Sequence, residues 1–149
     1  MLIKNKFPYD QYFDGVLTLS TAANRVGLCY FNSWFLQIAV NSQELDNIEL
    51  PMCQYIYYPN LDREHYLNPS KSNPNLLIPT QERALVDYIK LEEEYGDEGI
   101  LIESLQSYLA QHSDNLEKLY EVADFFKLPR EELEYWLKEA REESYMSEG

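Results

Sequence analysis

The chain has 149 residues, 45% hydrophobic and 14% aromatic, which fits one globular domain able to bury a core without disulfides or a structural metal. Its net charge of −14 repels phosphate backbones and disfavours autonomous DNA binding, while favouring a basic partner. No apolar run reaches the roughly 18 residues of a membrane span, and the stretch from Met1 to Pro8 lacks the apolar segment of a signal peptide, so a cytoplasmic protein without membrane contact is expected.

The acidic field is uneven: residues 76–149 hold 19 of the 26 acidic residues and only 7 of the 12 basic ones. Cys29 and Cys53 are too few for a disulfide framework and show no CxxC spacing. Both read as small buried hydrophobes.

In chain order, Leu19 to Gly27 reads as a short helix, with Thr18 or Ser20 as its cap and Gly27 at the left-handed C-terminal position. Trp34 to Val40 is an apolar run of strand length, buried on both faces. Pro51 to Tyr58 is a second, aromatic-rich strand. The polar stretch Asn41 to Asn47 reads as a hairpin connection, so these strands are expected to pair antiparallel. Residues 59–79 contain Pro59, Pro69, Pro74 and Pro79 and read as a loop or irregular edge.

From Thr80, a plausible N-cap, the pattern turns helical. Leu85, Tyr88 and Ile89 form the first stripe, and Gly96 and Gly99 break that helix. Leu101, Leu105, Tyr108 and Leu109 form the next. Asp114 with Glu117 resembles a capping box opening a helix whose Leu119, Val122, Ala123 and Phe126 face inward. Pro129 suits the first turn of a last helix carrying Leu133, Trp136, Leu137 and Ala140. The expectation is an α+β fold: a small, mostly antiparallel sheet followed by a lobe of about four helices. It forms one domain over 1–149, sheet-rich over 1–79, helical over 80–141 and frayed over 142–149.

Catalytic parts are sparse. His65 and His112 have neither HExxH nor HxxxH spacing and read as surface histidines. No GxSxG, GxxxxGK[ST] or GxGxxG is present, so no catalytic residue, cofactor or metal is nominated. Glu92, Glu93, Glu94, Asp97 and Glu98 lack the ligand spacing of a calcium loop and read as a solvated helix end. Two helices meeting at Lys127-Leu128-Pro129 resemble a helix-turn-helix, yet the second starts Pro129-Arg130-Glu131-Glu132, a poor match to a groove walled by phosphates. A packing hairpin fits better.

Two segments carry a family resemblance. Tyr12-Phe13-Asp14-Gly15, the following short helix and Gly27-Leu28 resemble the opening of the C-terminal domain of AbiEi-type antitoxins. Ile78-Pro79-Thr80-Gln81-Glu82-Arg83-Ala84-Leu85-Val86-Asp87 resembles that family's P-x-E-R-A-L-x-D helix start, and the match in order extends over roughly residues 9–140. The resemblance implies an antitoxin of type IV, abortive-infection toxin–antitoxin systems, encoded beside a nucleotidyltransferase-like toxin. The family normally adds an N-terminal winged helix-turn-helix and uses basic surface for DNA. Here the matching region starts near residue 9 and the charge is −14, so transcriptional repression is not expected and action through a protein partner is.

The motif residues Gly15, Gly27, Glu82, Arg83 and Asp87 are assigned structural roles. Arg83 and Asp87 stand four apart on one helical face, so Arg83 is expected partly buried against sheet or loop carbonyls with Asp87 or Glu82 balancing it. Candidate partner contacts are Tyr55, Tyr57, Tyr58, Glu131 and Glu134, the tyrosines reading equally as edge strand, core or interface. Two alternatives remain: an acidic nucleic-acid mimic that inhibits a DNA- or RNA-binding enzyme, and a small metal-dependent enzyme using residues 92–98.

Overall fold

The computed structural model of the protein describes residues 15–30, 36–41, 49–50, 53–59, 61–69 and 76–148. Its elements are β1 (Gly15–Leu17), α1 (Leu19–Arg25), β2 (Leu36–Val40), β3 (Glu49–Leu50), β4 (Cys53–Tyr57), β5 (Leu76–Leu77), α2 (Gln81–Tyr95), α3 (Glu98–Gln111), α4 (Glu117–Phe125) and α5 (Arg130–Glu148). The α+β class and the four-helix lobe stand, with α1 as a fifth helix inside the sheet region. Tyr12 to Asp14, Trp34, Phe35, the 42–47 connection, Pro51, Met52 and Pro74 lie outside the described residues.

The strand order is β3-β4-β2-β1-β5. β2 and β4 run parallel, from Leu36↔Cys53 to Val40↔Tyr57, which corrects the expected antiparallel pairing. The antiparallel place beside β4 is taken by β3, with Leu50 opposite Cys53. About a dozen residues separate β2 from β4, the length a parallel crossover needs. β1 pairs antiparallel with β2 and parallel with β5, so the sheet is mixed rather than mostly antiparallel.

β5 emerges from the stretch read as loop. It lies at the sheet edge, where the neighbouring prolines cost no central ladder bond. The chain before it folds back onto the entry to α2. Leu67 bridges Pro79, the Asn68 amide donates to the Ile78 carbonyl (2.8 Å), and the Thr80 amide donates to the Tyr66 carbonyl (3.0 Å).

The start of α1 is capped from another element. Thr18 occupies the cap position, yet its hydroxyl makes no capping bond. Instead Gln37 of β2 presents Oε1 to the Ser20 amide (3.2 Å) and hydroxyl (2.8 Å), and its own amide donates to Thr21 Oγ1 (3.0 Å). The sharp strand-to-helix turn puts Leu19 at φ 52°, a costly conformation for a bulky residue that is held by complete burial of its side chain.

α1 ends as its sequence predicts. Gly27 sits at φ 80°, with its amide on the Asn24 carbonyl (3.1 Å) and the Leu28 amide on the Ala23 carbonyl (2.8 Å). α4 closes with the same pair of bonds, Lys127 to Asp124 (3.1 Å) and Leu128 to Ala123 (2.8 Å), but the left-handed residue is Lys127 at φ 61°. An L-residue there costs roughly 1–2 kcal/mol that glycine avoids.

In the helical lobe, Thr80 caps α2 by accepting the Arg83 amide, and Asp97 caps α3 by accepting the Ile100 amide (3.1 Å). Gly99 therefore lies in the first turn of α3, and the break falls at Gly96 alone. The expected Asp114–Glu117 box does not form. Asp114 is used up in the left-handed turn that ends α3 (φ 62°), and Asn115 accepts the Glu117 amide in its place (3.2 Å). α5 continues helically to Glu148, past the residue 141 at which the sequence reading ended it.

All the residues assigned to the four helix stripes are buried, as are Ile38, Ala39 and Val40 of β2. The stripes form one core with Ala39, Ile56 and Tyr58 of the sheet. Leu17, Ile38, Val40, Cys53, Tyr55 and Leu76 form a second cluster, as the two-residue period of the strands requires. Each buried leucine contributes about 1.5–3 kcal/mol. No described helix is long and apolar enough to cross a membrane.

Candidate functional site

The densest chemistry in the molecule surrounds the first turns of α2. Thr80 fixes the start of the helix, which places Arg83 one turn in and Asp87 a further turn on. Both are 0% exposed. Arg83 Nε donates to Asp87 Oδ2 (3.3 Å), and Arg83 Nη1 donates to the His65 carbonyl (2.7 Å). This carbonyl is in reach because the 66–68 segment is tied to residues 78–80. The guanidinium carbon stands 4.9 Å from the Phe126 ring centroid, and Nη2 has no hydrogen-bond partner among the described residues. One arginine thus joins α2, the loop before β5 and the end of α4.

Asp87 is satisfied from the sheet side by the Tyr58 hydroxyl, which donates to Oδ1 (3.2 Å). Burial pushes the Asp87 carboxyl above the ordinary carboxylate range, against the pull of Arg83 and of the Tyr58 bond. Tyr58 is likewise held well above its usual range, by burial and then by the Asp87 charge. Lys90, one turn beyond Asp87, donates Nζ to the Phe126 carbonyl (2.6 Å) and lies over the Tyr58 ring (5.7 Å). Burial lowers its ammonium pKa, with Asp87 and Glu132 opposing and Lys127 adding a little.

Glu82 does not balance Arg83. It accepts the Tyr108 hydroxyl (2.7 Å), and His112 stacks on Tyr108 (4.0 Å) while bonding Gln81 Oε1 through Nε2 (2.7 Å). Gln81 Nε2 in turn donates to the Val26 carbonyl (2.8 Å), and Gln111 Nε2 to the Gly27 carbonyl (2.9 Å). The turn that needs Gly27 is therefore bound directly to the turn that opens α2. Gly15 serves a different contact, inside the sheet between β1 and β2. A Cβ there would drive into the Ala39 carbonyl and stand 2.8 Å from the Ile38 side chain.

The predicted partner contacts divide. Tyr55 of β4 is 0% exposed and Tyr58, just past the strand's end, 4%, so both are core residues and not interface. Tyr57 is half-buried, whereas Glu131 and Glu134 are exposed on α5 beside Tyr135. Among the described residues no group of three His, Cys, Asp or Glu side chains is arranged to hold a metal. In the 92–98 run Asp97 serves as the α3 cap, and Glu92 is raised by burial and by Glu98 and Glu93. Both cysteines are buried and unpaired in any disulfide, and burial pushes the Cys53 thiol up.

Above the buried joint lies an open groove of about 750 Å³ that the sequence did not reveal. Pro59 and residues 61–64 form one wall, and Phe125 to Lys127 form the other. Asp62 is held below its ordinary range: slight burial raises it, but the Glu64 amide and the His65 ring and amide outweigh that. His65 also packs on Phe125 (4.8 Å), whose ring stays 44% exposed. The available sequence signal was Phe125 itself, a large apolar residue just off the Leu119–Phe126 stripe. A scan against protein-family models matches no family, and a search of curated proteins finds no match either.

Proposed function

We propose that the chain is an AbiEi-like antitoxin or regulatory protein of a toxin–antitoxin system that acts through a protein partner rather than by catalysis. The observation that carries this reading is the meeting of its two motif segments. The Gly27 turn of the first segment is bonded to Gln81 and Gln111 of the helical lobe, and Glu82, Arg83 and Asp87 of the second, more than fifty residues on, tie α2 to α3, to the His65 carbonyl and to Tyr58. Motifs used in this way support a shared architecture, and they leave recognition to the surface. That surface carries the acidic face of α5 with Glu131, Glu134 and the exposed Tyr135 ring, a combination suited to a protein contact with basic character.

The test is growth rescue. A nucleotidyltransferase-like toxin encoded beside this chain is expressed from an inducible promoter with and without it. Restored growth with the chain is the expected result. Unrelieved toxicity at matched expression would sink the proposal.

A further inference from the structure

We draw no further inference here: the strongest candidate, the open groove walled by residues 61–64 and by Phe125 to Lys127, carries both signs of charge, Arg63 and Lys127 against Asp62 and Glu64, and nothing in the structure shows what covers it.

Discussion

Replacing Arg83 by methionine removes the cation from a completely buried pair. Asp87, also 0% exposed, then keeps the Tyr58 hydroxyl and the weaker pull of the Lys90 charge, and the His65 carbonyl loses its donor. Breaking a buried pair from one side costs about 3–5 kcal/mol, a large share of the roughly 5–15 kcal/mol that holds a typical domain. For a domain of this size that corresponds to a fall of roughly 6–20 °C in melting temperature. The cost also depends on pH. Burial already raises the folded pKa of Asp87, so its contribution to stability is full below the unfolded pKa and is lost as pH rises through the folded one. Without Arg83 the raise is larger, and the deficit of Arg83→Met is therefore expected to be greater at pH 8 than at pH 5. Urea denaturation of Arg83→Met, Asp87→Leu and the double variant completes the cycle. The double variant is expected to recover most of the loss, because two apolar side chains leave no unpaired charge. A single-variant loss below about 1 kcal/mol, or strictly additive losses, would refute the role given to the pair.

Three further outcomes follow from the geometry. Gly15→Ala is expected to destabilise by about 1–3 kcal/mol in chemical denaturation, since its Cβ meets the Ala39 carbonyl within the β1–β2 pair. Gln37→Ala removes the cap of α1 and leaves the Ser20 amide and hydroxyl without their acceptor, for about 1–3 kcal/mol by the same measurement. Asp62 has a depressed pKa, so the stability it contributes is present above the unfolded carboxylate pKa and disappears as pH falls through the folded one. Asp62→Asn is expected to cost less than about 1 kcal/mol at pH 7 and nothing at pH 2, read from melting curves.

The helical half of the molecule was legible because each stripe recurs every three or four residues and its partners are local. Leu133, Trp136, Leu137 and Ala140 are buried as the period requires. The Arg83–Asp87 pair was legible for the same reason, being a contact between neighbours on one helix. The sheet was not. Whether β2 and β4 run parallel depends on β3, two residues long with no pattern of its own. The cap on α1 comes from Gln37, a residue of a strand, and the long-range donors to Asp87 and Phe126 come from Tyr58, just past β4, and from α2. Tyr55 and Tyr58 were ambiguous since an aromatic strand serves equally at an edge or in a core, and their burial decides for the core. The groove joins segments about sixty residues apart, and only Phe125, off its stripe, hinted at it.

The most direct measurement is affinity capture of the tagged full chain from its host lysate at low and high salt, with mass spectrometry of what is retained. The account predicts stoichiometric recovery of a nucleotidyltransferase-like protein. A nucleic-acid enzyme released by salt would contradict it in favour of an acidic mimic, and a lysate that yields no stoichiometric protein would contradict both.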